Sequence, residues 1–189
     1  METPEVLTTL VANCRSALQS DDPRREIHRL LNDFVADPEA TAAAIPAFAD
    51  DEVETSPRGF RLGGEHVAHE DPDLTVMVLD TLPGVVQPPH DHSMPAFIAV
   101  FEGAEEQRFW TRTAEGITPT PGRLLEAGQV LALGERGIHA ISAPADTPAR
   151  AVHVYLGDIY DIDRSIFHPD TLEEFPMSSE RYDDYCRHA

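Results

Sequence analysis

The reading starts from one stretch, Gly84-Val-Val-Gln-Pro-Pro-His90-Asp-His92-Ser-Met-Pro-Ala-Phe-Ile-Ala-Val-Phe-Glu-Gly103. Side chains on an extended strand alternate between faces, so His90 and His92 share one face and both imidazoles can reach a single cation. Metal–imidazole bonds of roughly 2.0–2.2 Å set the scale of such a site. Pro88 and Pro89, just ahead of the pair, stiffen the approach by fixing the backbone φ. Taken alone, the pair is equally compatible with two exposed loop histidines beside an aspartate.

Downstream, Gly128-Gln-Val-Leu-Ala-Leu-Gly-Glu-Arg-Gly137-Ile-His139 offers a third histidine on a later strand. Without further context, His139 is a strand histidine that a backbone carbonyl could satisfy. Together, however, the two stretches resemble the paired motifs of the cupin superfamily. Gly84 and Gly103 stand at the outer positions of the first motif, and His90 and His92 at the inner ones. The resemblance implies a mainly β jelly-roll barrel, a double-stranded β-helix, with one metal ion held by His90, His92 and His139. One departure is informative: Ala96 stands where cupins commonly carry a glutamate ligand, and Ser93, Met94, Pro95 and Phe97 offer no carboxylate. Three neutral imidazoles leave a divalent charge uncompensated, which favours an anionic ligand from outside, such as a thiolate.

The stretch Ala149-Arg-Ala151-Val-His153-Val-Tyr155-Leu-Gly157-Asp-Ile-Tyr-Asp-Ile-Asp-Arg164 narrows the expectation. It resembles the thiol dioxygenases, the group of cysteine dioxygenase and the bacterial 3-mercaptopropionate dioxygenases, which add both atoms of dioxygen to a thiol sulfur. That resemblance implies Fe(II), one per chain, as cofactor, with a small thiol and O2 as partners. It makes His153 and Tyr155 the last two members of a Ser-x-His-x-Tyr relay, whose first position is Ala151 here. It also makes Arg164, nine residues after Tyr155, the group that binds the substrate carboxylate, a task suited to the guanidinium fork. A surface ion pair of Arg164 with Asp161 or Asp163 is the plainer alternative. In cysteine dioxygenase itself the carboxylate-binding arginine comes earlier; Leu62–Glu70 has none, although Arg61 is close. The cysteine crosslinked to the tyrosine in the mammalian enzyme is missing too, its place falling near Ala96. Two other readings stay open: a three-histidine cupin with another metal and other small-molecule chemistry, or a non-catalytic cupin that binds a small anion. Cu(II) or Zn(II) would bind three histidines more tightly than Fe(II), so residue types alone do not choose the metal.

Outside these motifs the chain divides by character. Residues 1–57 read as a helical segment packed on the barrel. Val6, Leu7, Leu10, Val11, Cys14 and Leu18 recur at helical spacing, as do Ile27, Leu30, Leu31, Phe34 and Val35 after the start signal Asp21-Asp22-Pro23. A third short helix begins near Asp37-Pro38-Glu39. Residues 58–175 read as the barrel, with short β-rich runs that include Leu74–Leu79, Pro95–Phe101, Gln107–Thr111 and Ala149–Leu156, separated by turn signals such as Glu102-Gly103. Phe97, Phe109 and Trp110 are candidate pocket walls or core. Residues 176–189 read as a C-terminal tail.

Composition excludes whole classes of partner. The formal net charge is -20 and there is no lysine, so nucleic acid and anionic membranes are repelled. No apolar run approaches the ~20 residues a bilayer span needs, and the acidic start lacks the features of a secretory signal. A cytoplasmic monomer or small homo-oligomer is expected. Cys14 and Cys186 read as free thiols, Cys14 on a buried helix face. His66 and His69, set among acidic residues, read as solvated rather than as a second metal pair. His28, His168 and His188 read as surface, turn and C-terminal groups.

Overall fold

A computed structural model describes residues 2–189. Three helices come first: α1 (Glu5–Ala17), α2 (Pro23–Phe34) and α3 (Pro38–Ala44). Their starts follow from capping chemistry. The side chain of Asp22 accepts from Arg25 N at 3.1 Å, that of Asp37 accepts from Ala40 N at 3.1 Å, and Pro23 and Pro38 sit in the first turns, where a missing N–H does no harm.

Strands β1 (Glu54–Thr55), β2 (Arg61–Asp71), β3 (Leu74–Thr81), β4 (Val85–Val86), β5 (His90–Asp91) and β6 (Ala96–Thr113) follow. Then come β7 (Gly116–Glu126), β8 (Val130–Leu133), β9 (Ile138–Ser142), β10 (Ala149–Tyr155), β11 (Ser165–Phe167) and β12 (Glu174–Pro176). Helix α4 (Ser179–Tyr185) and β13 (Arg187–His188) complete the chain. The pairing path is β1-β2-β3-β10-β6-β9-β5-β11-β12, with β7 and β8 on β6 and β4 between β9 and β13. All the pairings in it are antiparallel. This is the mainly β jelly-roll architecture expected from the run of short strands and from the resemblance.

The sheet is covered on both faces, and strand alternation decides which residue goes where. Val152 and Val154 of β10, with Val76, Val78, Phe97 and Phe101, face Leu7, Leu10, Cys14, Ile27 and Leu31 of the helices. Ala151 and Tyr155 face the barrel interior with Met77, Ile98, Val100 and Ile141. Each fully buried leucine, isoleucine or phenylalanine contributes about 1.5–3 kcal/mol, so α1 and α2 are firmly docked on the sheet.

Strand β6 corrects the sequence reading. The runs expected at Pro95–Phe101 and Gln107–Thr111, with a turn at Glu102-Gly103 between them, merge from Ala96 onward into a single strand of 18 residues. Val100 pairs with Ala151 but Glu102 pairs with Arg150, leaving Phe101 as an extra residue, which is a β-bulge. Gly103 follows at φ 69°, and a Cβ there would lie 1.8 Å from Pro148 O. Beyond this point β6 leaves β10 and pairs with β7 and β9. The extra residue changes which numbers point inward. Ala96, Ile98 and Val100 line the interior before the bulge, and Glu105 and Gln107 are the buried positions after it.

Past Leu156 the chain does not trail away. Ile166 of β11 pairs with His90, and β13 pairs with β4. Between them α4 carries Tyr182, whose hydroxyl donates to Gln87 Oε1 at 2.5 Å. Residues 176–189, read as a tail, therefore pack beside the histidine strand.

Candidate metal centre

His90 of β5 stands directly opposite His139 of β9 in the strand register. His92 follows two residues on, on the same face. Ser93, at φ 54°, then turns the chain away, and its hydroxyl donates to Asp163 O at 2.9 Å. Asp91 points elsewhere: its carboxylate accepts from Ser165 N and from an Arg112 guanidinium nitrogen, both at 2.9 Å. The intervening residue thus anchors the backbone while its neighbours converge. Nitrogens of His90, His92 and His139 lie within 4.8 Å of one another, and all three residues are buried.

Hydrogen bonds fix the free lone pairs. His90 Nδ1 lies 3.0 Å from Pro88 O, and a carbonyl only accepts, so Nδ1 carries the proton and Nε2 is free. For His139 the chain of reasoning is one residue longer. The Glu105 carboxylate accepts from Gln107 Nε2 at 2.8 Å, which turns the amide oxygen of Gln107 toward His139 Nδ1 at 2.9 Å. His139 therefore donates from Nδ1 and keeps a lone pair on Nε2. That lone pair faces His92 Nε2 at 3.3 Å, while His92 Nδ1 is buried without a hydrogen-bond partner. Burial pushes the His90 pKa down to about 3 and those of His92 and His139 well below the usual imidazole value, with repulsion from neighbouring histidines adding to it. Three neutral imidazoles with converging nitrogens are a donor set that can hold a metal ion, and the residues fit one.

As expected from Ala96, no carboxylate joins the three-histidine group among the described residues, but one is buried behind it. Glu105, 1% exposed, lies one residue removed from the three histidines, connected to His139 through Gln107. Sequence alternation could not find this pair, because the Phe101 bulge reverses the parity of β6 just before them.

A cavity of about 320 Å³ opens beside the histidines, lined among others by His90, His153, Tyr155, Arg164, Glu65 and Tyr182. Tyr155 OH and His153 Nδ1 are 3.1 Å apart, and the Tyr155 ring lies edge-on to His92 at 5.1 Å between centroids. Burial holds the Tyr155 phenol protonated by raising its pKa. Arg164 reaches the same cavity, its Nε donating to Ile159 O at 3.2 Å. The alternative of an ion pair with Asp161 or Asp163 is not formed: Arg164 has no carboxylate partner among the described residues. Arg61, by contrast, is half-exposed and paired with Asp50 at 3.0 Å. Arg150, unremarked in the sequence, is buried but neutralised by Asp80 at 3.1 Å and Glu102 at 2.7 Å. Phe97 packs under the helices and Trp110 beside Ile138 and Phe167; these two and Phe109, all three, stand outside the cavity lining. His69 pairs with Asp71, and His66 contacts Thr3.

Among the described residues no helix is long and apolar enough to cross a membrane. No protein-family model matches the chain. No curated protein matches it in sequence. Among solved structures, the DMSP lyase DddQ from Ruegeria pomeroyi is similar at 18% identity and a TM-score of 0.49, over 84% of this chain and 77% of that one. A Ralstonia eutropha protein of unknown function with a cupin-like fold is similar at 17% identity and a TM-score of 0.47, over 66% and 69%. An oxalate oxidase is similar at 19% identity and a TM-score of 0.41, over 50% and 51%.

Proposed function

We propose that this protein is a non-haem iron thiol dioxygenase that converts a small carboxylate-bearing thiol and O2 into the sulfinate. One observation carries the reading: Arg164, a guanidinium without a carboxylate partner among the described residues, shares a cavity with His90 of the three-imidazole cluster and with the Tyr155–His153 pair. His90, His92 and His139 would hold Fe(II), which would supply the redox chemistry that joins a thiol sulfur and dioxygen. The chain's own groups do the rest. Arg164 binds the substrate carboxylate by charge-assisted hydrogen bonds, holding the sulfur end toward the histidines. The protonated Tyr155, backed by His153, offers a polar contact at the reacting end. Met77, Leu79 and Ile141 supply the apolar part of the cavity wall, against which a short carbon chain can pack.

The same cavity also carries Glu54, Glu65 and Asp183. Burial, then mutual repulsion, raises the carboxyl pKa values of Glu54 and Asp183. A substrate bearing an ammonium group would relieve that repulsion, which favours a cysteine-like thiol over 3-mercaptopropionate. The test is oxygen uptake with sulfinate formation by anaerobically Fe(II)-loaded protein, given cysteine, 3-mercaptopropionate or cysteamine in turn. Coupled uptake that disappears in His90→Ala supports the reading. No uptake with any thiol, from protein holding one iron per chain, refutes it.

A further inference from the structure

His153 lacks the hydroxyl that a Ser-x-His-x-Tyr relay would place at position 151, because the residue there is Ala151. The residue is 1% exposed, and its Nε2 has no hydrogen-bond partner among the described residues. A buried polar group left unpaired costs about 1–3 kcal/mol, so this nitrogen needs a counterpart. The structure puts one close by from a different strand. Glu105 of β6, itself 1% exposed, holds Oε1 at 3.8 Å from His153 Nε2, within ion-pair reach and a small side-chain adjustment short of a hydrogen bond. Its other oxygen accepts from Gln107 Nε2.

We propose that Glu105 is a positioning residue that replaces, from β6, the hydroxyl missing at 151, and so sets the tautomer of His153. The chemistry follows from donor and acceptor roles. An ionised carboxylate only accepts, so His153 carries its proton on Nε2 and presents the Nδ1 lone pair to Tyr155. Tyr155 then donates its hydroxyl proton to His153, and its oxygen lone pairs turn to the cavity. One carboxylate thereby orients two rings, His153 directly and His139 through Gln107.

The inference rests on the reading of Tyr155 and His153 as a relay, and the experiment separates the two. Ring-nitrogen NMR of the metal-free, full-length protein, with the His153 signal identified by its loss in His153→Gln, reports the tautomer without any catalysis. The expected result is an Nε2–H ring in the native protein that shifts in Glu105→Gln and returns when Ala151→Ser is added. With Fe(II) and the preferred thiol, Glu105→Gln is expected to lower kcat roughly tenfold with little change in KM, the size typical of an outer-shell partner. The added Ala151→Ser restores most of that loss. Glu105→Asp, which keeps the charge, provides a second variant should the amide fold poorly, and it is expected to retain the Nε2–H tautomer. His153 nitrogens unmoved in Glu105→Gln, or no recovery on adding Ala151→Ser, would overturn the proposal. Absence of thiol oxidation by the native protein would instead overturn the dioxygenase reading, while the NMR result would still decide the role of Glu105.

Discussion

Replacing Gln107 by leucine is the sharpest test of how the histidine cluster is held. The substitution keeps the side-chain volume nearly constant but removes both the acceptor for His139 Nδ1–H at 2.9 Å and the donor to Glu105 at 2.8 Å. Loss of an outer-shell partner to a ligating histidine weakens metal binding about 10- to 100-fold, or about 1.4–2.8 kcal/mol at ~1.4 kcal/mol per decade. The metal-free protein suffers separately. Two buried polar groups lose their partners, at about 1–3 kcal/mol each and more for the charged one, giving a loss on the order of 2–6 kcal/mol. The double variant Glu105→Leu with Gln107→Leu separates these effects. Removing the stranded carboxylate recovers much of the stability, because an apolar pair leaves less unsatisfied. Metal affinity falls further, because the compensating charge has gone as well. Affinity is measured by anaerobic competition for Fe(II) against a chromophoric chelator, and stability by urea unfolding of the metal-free protein. A Gln107→Leu protein that binds Fe(II) within twofold of the original would refute the argument that this hydrogen bond holds His139 in its ligating tautomer.

Other outcomes follow from single features. Arg164→Gln should raise KM about 10- to 100-fold for a carboxylate-bearing thiol, since hydrogen bonds to charged groups contribute roughly 1.5–3 kcal/mol; KM for cysteamine, which has no carboxylate, should barely move, and equal effects on both would remove Arg164 from substrate binding. Gly103→Ala should lower the urea-unfolding free energy by more than about 2 kcal/mol, combining a left-handed backbone with a Cβ placed 1.8 Å from Pro148 O; a change below 0.5 kcal/mol, taking roughly that as the scale of neutral substitutions, would contradict the bulge geometry. Burial pushes the Cys14 and Cys186 thiols up to about 12, so both stay protonated and unreactive at pH 8. Mass spectrometry after alkylation should find label at either position only once the protein is unfolded, and rapid labelling of the native protein would argue against that burial.

Local rules settled much of this protein from its sequence. His90 and His92 had to share a face because strand side chains alternate, and Asp22 and Asp37 had to start helices because their carboxylates satisfy free N–H groups. His139 could be paired with them only through the spacing of the second motif. What the sequence could not supply was parity across the β6 bulge. One unpaired residue, Phe101, turns Glu105 and Gln107 toward the interior, and no local propensity announces it, since a bulge is defined by the strand opposite. Nor could it show whether Arg164 is neutralised by the aspartates beside it. That depends on where its backbone is anchored: Ser165 N donates to Asp91, and Ser93 reaches over to Asp163 O. Likewise, the last residues read as a tail because their polar composition hides a pairing, β13 on β4, that exists only once the barrel has formed. Alternation and capping act within a few residues and are written in the chain; register, bulges and the partners of buried charges are properties of strands brought together from far apart, and only the tertiary structure decides them.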